Sequence, residues 1–259
     1  MRSAVLNVIR DGPVLRLTLD RPERRNPLSR VLVAEMHREL VAIEEGDATR
    51  VVVLASEGPV FSAGADIGEF LEAAESGQAL EDAEQVAALF AAIYECPAPV
   101  VARVEGSAFG GGVGLLCAAD IVLASDEAKF SLSEARLGLI PAVISPYVLA
   151  ALGEREAKAK MLLAAPFNAQ EALRVGLVHA VVPTTELDAA VAQTTASVLH
   201  CAPGALAAIK RLPRQLKPLD AAVARSLTTR LLADRLASDE AREGLKAFLE
   251  KRAPAWVPE

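Results

Sequence analysis

Hydrophobic positions along this 259-residue chain repeat with two different periods. Ala4–Arg10 and Val14–Asp20 alternate apolar and polar residues around Asp11-Gly12-Pro13, the pattern of a β-hairpin. Arg21–Pro27 (RPERRNP) is a basic loop punctuated by prolines. Ser29 then stands where an N-cap belongs, and Leu32, Met36, Leu40 and Ile43 share one helical face. Arg50–Ser56 is a β-branched run suited to a strand buried on both sides. Gly58–Ile67 (GPVFSAGADI) leads into a helix that starts at Asp66 or Ile67, and Ala73–Gly77 reads as a loop. Glu81–Glu95 carries an apolar stripe of Val86, Leu89, Phe90 and Ile93, stopped by Pro97 and Pro99.

The densest pattern runs from Val100 to Leu139. It predicts a buried strand, a glycine turn, a short helix, two more strands and a turn bearing Glu134. The helix (Val113, Leu115, Leu116, Cys117) is apolar almost all round and should be buried. Pro141 is placed to open the next helix, with a kink or a short first helix expected from Pro146 one turn later. Helices are expected over Glu154–Leu163 and Ala169–Val175, and a strand over Leu177–Val182. Four more helices follow: Glu186–Leu199, Pro203–Leu212, Pro218–Leu232 and Ser238–Lys251. The change near Pro183 divides an α/β core, residues 1–183, from a helical appendage, residues 184–259.

Composition narrows the class. The chain is 52% hydrophobic but only 4% aromatic, so its core must be mostly Ala, Val and Leu. A net charge of −7 argues against a general nucleic-acid binder. No secretion signal is visible, and the longest charge-free run, Leu137–Gly153, contains two prolines and falls short of a membrane span. Three scattered cysteines and three scattered histidines give neither a disulfide framework nor metal-ligand spacing. The expectation is a cytoplasmic protein with reduced thiols, no metal, and no membrane or nucleic-acid partner.

The candidate chemistry lies in two glycine-rich passages and one acid. The chain has no G-x-S-x-G elbow, phosphate-loop lysine, HExxH or complete dinucleotide fingerprint. Gly110, Gly111 and Gly112 sit where a strand passes into a helix, so backbone can approach a ligand closely there. The first amides of that helix have no partner inside it and carry partial positive charge. Gly58–Ile67 is a second such approach. Two amides from different loops can stabilise an oxyanion. Glu134 lies among Phe130, Leu132, Ala135 and Leu137, company that disfavours its charged form and suits proton transfer near neutral pH. Together these fit proton transfer beside a thioester carbonyl, through an enolate. Structural readings stand beside this one. The triple glycine could be only a tight crossing, Ser131–Glu134 has the form of a capping box, and Asp66 could be an ordinary N-cap. Arg21, Arg24 and Arg25 could be a solvated cluster.

FSAGADI (Phe61–Ile67), EGSAFGGGVGL (Glu105–Leu115), SEARLGLIP (Ser133–Pro141) and EGLKAFLEKRAP (Glu243–Pro254) resemble the enoyl-CoA hydratase/isomerase, or crotonase, family across nearly the whole chain. The resemblance implies an α/β fold of repeated ββα units with a helical C-terminal region, assembled as a homo-trimer or hexamer. It implies an oxyanion hole made by the peptide N–H groups of Ala65 and Gly111, with Glu134 as the acid. It places coenzyme A contacts at Arg24, at the backbone of Ala63, Asp66 and Ile67, and at Phe248 and Lys251 of a neighbouring subunit. No separate cofactor is implied, since the substrate arrives as a coenzyme A thioester.

Two departures from the family pattern matter. Two-glutamate hydratases carry a first acid three residues after the oxyanion glycine, and here that residue is Gly114. A lone glutamate in register with Glu134 resembles the Δ3,Δ2-enoyl-CoA isomerases. Yet GGGVGL with SEARLGLIPAVISPYV is most similar to bacterial enoyl-CoA or methylglutaconyl-CoA hydratases of leucine and isoprenoid catabolism. Ala142–Tyr147 (AVISPY) replaces the usual glycine-rich segment of the acyl pocket. The expected activity is hydration or dehydration across C2–C3 of an enoyl-CoA. The alternatives are the isomerase, and a CoA-ester binder that has lost turnover.

Overall fold

The computed structural model describes residues 5–217 and 219–257. Its strands are β1 (Leu6–Asp11), β2 (Val14–Leu19), β3 (Pro27–Leu28), β4 (Val51–Ser56), β5 (Val60–Ser62), β6 (Gly64–Ala65), β7 (Val100–Val104), β8 (Ser107–Phe109), β9 (Ile121–Ser125), β10 (Lys129–Ser131), β11 (Phe167–Asn168) and β12 (Ala180–Val182). They form a six-stranded sheet in the order β1-β2-β4-β7-β9-β12 and a four-stranded sheet in the order β11-β10-β8-β5. A two-residue pairing of β3 with β6 completes the set.

The topology follows from a repeated unit. β4, β7 and β9 each enter the large sheet in parallel, turn, and send β5, β8 and β10 into the small one. Helical structure then returns the chain. All six residues of β4 are buried, as its β-branched run requires. The period of two divides its side chains between layers. Val52 and Leu54 face the principal core with Val100, Ala102, Val104 and Val122. Val51 and Val53 face the other way, with Val101 and Leu123, against Leu187, Val191 and Val198 of the later helix Leu187–Leu199. Large aromatic side chains are few, and Phe61, Phe90 and Phe130 are the largest of the fully buried side chains.

The helices are α1 (Arg30–Val41), α2 (Ile67–Ser76), α3 (Ala79–Glu95), α4 (Gly111–Ala118), α5 (Ser145–Leu152), α6 (Glu154–Leu163), α7 (Ala169–Arg174), α8 (Leu187–Leu199), α9 (Pro203–Leu216), α10 (Ala221–Leu236) and α11 (Asp239–Glu250). Ser29 caps α1 by accepting from Leu32 N–H, and Asp66 caps α2. Every residue of α4 after Gly111 is buried, in keeping with its unbroken apolar face.

Several expected boundaries change. Ala73–Gly77 is the end of α2, and Gly77, at φ 77°, supplies its left-handed C-terminal stop. Pro141 opens no helix; Gly138–Ile144 is irregular and Pro146 is the first-turn proline of α5. The strand expected from Leu177 shortens to β12, with Leu177 and Val178 buried just before it. α9 continues through Pro213 to Leu216. Pro218 lies outside the described residues, and α10 starts on the Asp220 cap. Ser131 belongs to β10 and donates its hydroxyl to Ala164 C=O, so no capping box forms with Glu134. No helix among the described residues is long and apolar enough to cross a membrane.

Candidate active site

Three chain segments meet around the N-terminus of α4. The first is the basic loop. Asn26, 1% exposed, accepts from Arg21 N–H at 2.7 Å and donates to the carbonyls of Glu57 (2.9 Å) and Val60 (2.8 Å). Ser62 Oγ donates back to Asn26 C=O at 2.8 Å, and Ala63 N–H bonds Arg25 C=O at 2.8 Å. This network fixes β3 beside β6 in the register Pro27↔Gly64, Leu28↔Ala65. Pro27 has no N–H, so that pairing runs through the next peptide. Alternate peptides in a parallel ladder face opposite sides. The Ala65 N–H therefore lies on the side of β6 away from β3.

The second segment is the triple glycine, in which each residue does a different job. Gly110 adopts φ 50°, ψ −120°, a conformation essentially reserved for glycine. Gly111 begins α4, so its N–H has no intrahelical partner and stands at the positive end of the helix. Gly112 lies against β5, where a β-carbon would be 2.7 Å from Ser62 C=O. A methyl built on Gly111 would lie 3.9 Å from Ala65 N, and one on Gly64 would lie 3.1 Å from Gly111 N. The two peptide units are immediate neighbours.

The third segment brings the acid. Glu134 starts a single 3-10 turn, Glu134–Leu137, directly after β10. A methyl on Gly110 would lie 3.1 Å from its Oε1. The side chain is half-buried, and Oε2 is buried without a hydrogen-bond partner. Burial pushes its pKa upward, partly countered by its own backbone N–H. A buried carboxyl oxygen left without a partner costs stability, which makes Glu134 a candidate for function.

The remaining sequence candidates fall in two places. Asp66 is buried, accepts from Gly68 N–H (3.1 Å) and Glu69 N–H (3.4 Å), and places Oδ2 3.4 Å from Nη2 of half-exposed Arg24. Ile67 is exposed beside it. The Ala63 N–H is already engaged by Arg25 C=O. Phe248, 82% exposed, sits on the last helix and Lys251 is its left-handed C-terminal stop; none of the described residues covers Phe248. The position expected to hold a first acid in two-glutamate enzymes, Gly114, faces Ile144 and Phe90. The sequence reading missed Asn26 and Ile144. Asn26-Pro27 is a turn-forming dipeptide that could have signalled the first.

The fold is that of the crotonases. The enoyl-CoA hydratase/isomerase family profile matches residues 10–258, and the chain belongs to that family. It is 37% identical over 252 residues to a probable enoyl-CoA hydratase of Rhodobacter capsulatus, covering 93% of both chains. It is 34% identical to a carnitinyl-CoA dehydratase of Salmonella typhi, covering 98% of each. Among solved structures, an enoyl-CoA hydratase from Shewanella pealeana superimposes with a TM-score of 0.93 at 36% identity, covering 98% of this chain and 97% of that one.

Proposed function

We propose that this protein hydrates, or dehydrates in reverse, the C2–C3 bond of an enoyl-CoA, with Glu134 as its proton carrier. The observation that carries the proposal is the carboxyl of Glu134, half-buried and unpartnered at Oε2, lying against the backbone that presents Gly111 N–H. In this reading the Ala65 and Gly111 N–H groups donate hydrogen bonds to the thioester oxygen as negative charge develops there. One oxyanion donor of this kind is worth about 2.7–4 kcal/mol in the transition state. Glu134 takes a proton from water as the hydroxyl joins C3, then returns that proton to C2. Its raised pKa keeps both steps accessible near neutral pH. The names of the relatives, a hydratase and a dehydratase, support this direction of chemistry.

Arg24, the Ala63 carbonyl and the Asp66–Ile67 backbone would hold the coenzyme A portion, with Phe248 and Lys251 contributed by a second copy. The uncovered apolar residues Leu232, Leu245, Phe248 and Leu249 support assembly into a trimer or hexamer, as does a groove of ≈ 550 Å³ among α9, α10 and α11. The acyl group is proposed to be branched or of methylglutaconyl type, because AVISPY replaces the more usual pocket segment.

A second reading has its own observation. Ile144 occupies the space beside Gly114, and a single acid suffices for Δ3,Δ2-enoyl-CoA isomerisation. Separate incubations with a 2-enoyl-CoA and a 3-enoyl-CoA distinguish the two. A 3-hydroxyacyl-CoA formed from the 2-enoyl ester supports the hydratase. Interconversion of the two esters with no hydroxyacyl product refutes it in favour of the isomerase.

A further inference from the structure

We propose that Ile144 fixes this centre as a one-acid site. With Phe90 it fills the space that any side chain at position 114 would need, so Glu134 alone must move the proton in both directions. This rests on the acyl-CoA reading above.

Gly114 lies three residues after Gly111 on α4, so both belong to the same face of the helix. A β-carbon at Gly114 would stand 2.3 Å from Ile144 Cγ2, 2.9 Å from Ile144 Cβ and 3.1 Å from Phe90 Cε1. Rotating the Ile144 side chain cannot relieve the second contact, because Cβ is fixed to the backbone. That backbone is held in place. Ala142 N–H bonds Ile140 C=O at 2.8 Å, Val148 N–H bonds Ile144 C=O at 3.0 Å, and Pro146 stiffens the first turn of α5. Ile144 is 4% exposed and Phe90 fully buried, and the Phe90 ring is backed by Tyr147 at 5.9 Å between centroids. This wall is apolar and closed. A second carboxyl, or a water held by one, has no seat on this face of α4. In hydration the O–H bond of water breaks on the Glu134 side. The hydroxyl goes to C3 and the proton passes through the same carboxyl to C2, so nothing else is consumed. AVISPY thereby acquires a role: it carries the residue that matches Gly114.

The test uses Gly114→Glu, Ile144→Ala and the double variant of the full chain, assayed on a 2-enoyl-CoA and a 3-enoyl-CoA. Gly114→Glu is expected to melt well below wild type, and Ile144→Ala in the same chain to restore part of the loss. The double variant should add a second ionisation to the pH–rate profile and shift the ratio of hydration to isomerisation by about ten-fold or more, as an added acid–base group does. If Gly114→Glu does not accumulate as folded protein, Gly114→Ala with and without Ile144→Ala provides the same melting comparison. A double variant no more stable than the position-114 single variant overturns the packing claim. A folded double variant with the wild-type pH profile and product ratio overturns the reaction-setting role. Wild-type protein inert on both esters removes the acyl-CoA reading and that role together, and the melting comparison still decides the packing.

Discussion

Replacing Gly110 with alanine separates catalytic geometry from fold stability. Gly110 sits at φ 50°, ψ −120°, where an L-residue is strained by roughly 1–3 kcal/mol. For a chain of this size each kcal/mol lowers Tm by about 2–4 °C, so a drop of roughly 2–12 °C is expected. The new methyl would also stand 3.1 Å from Glu134 Oε1 and 3.5 Å from its Cδ. The contact to Oε1 is tighter than ordinary packing, so the carboxyl must retreat by a few tenths of an ångström. A misplacement of about 1 Å can cost about 100-fold in rate, so kcat/KM should fall by about 10-fold here. Gly77→Ala is the matched control. Its φ is 77° and a β-carbon there meets no atom within 4 Å, so it carries left-handed strain of about 1–2 kcal/mol and no contact with the site. Steady-state hydration and thermal melts of both variants decide the matter. If Gly110→Ala lost no more turnover than Gly77→Ala, the proximity of Glu134 to the glycine turn would have no catalytic meaning.

Asn26→Ala removes three hydrogen bonds to part-buried backbone groups and, at about 1 kcal/mol each, should cost about 3 kcal/mol, read as a Tm lower by about 6–12 °C together with reduced turnover. Burial pushes the Cys117 thiol up to about 12 and raises that of Cys96, whereas Cys201 is exposed. A thiol reagent should therefore modify one cysteine in the native protein and three after denaturation. Arg24→Ala should raise KM for a CoA ester about 5-fold with kcat unchanged, as expected of an exposed ion contact worth about 1 kcal/mol, and the effect should shrink in high salt.

The repeated ββα core was legible because its strands are short β-branched runs and its helices start at Ser29 and Asp66, side chains that do cap them. Local preference misled at Pro141, where proline only permits a helix start and the chain remains irregular until Ser145. It misled again at Ser131–Glu134, where the pattern of a capping box is overridden by pairing of Ser131 in β10. The glycine turn and the acid could be read from residue type and spacing. Their proximity could not, because it depends on β8 and β10 lying side by side in the small sheet. Ile144 was invisible for the same reason: its partner, Gly114, is thirty positions away and has no side chain to advertise a contact.

The most direct measurement is kcat/KM against pH for wild type and Glu134→Gln, with CoA-ester affinity and thermal stability measured on both. Wild-type activity should rise with pH through an ionisation above the usual glutamate range, since burial raises this carboxyl. Glu134→Gln should lose about 10²–10⁴-fold in turnover and keep its affinity for the ester. A carboxyl raised in the folded state contributes stability in full below its unfolded pKa and loses it as pH climbs through the folded value. The glutamine variant should therefore gain in Tm relative to wild type between mildly acidic and neutral pH. Turnover at the wild-type rate in Glu134→Gln would contradict the role assigned to this carboxyl.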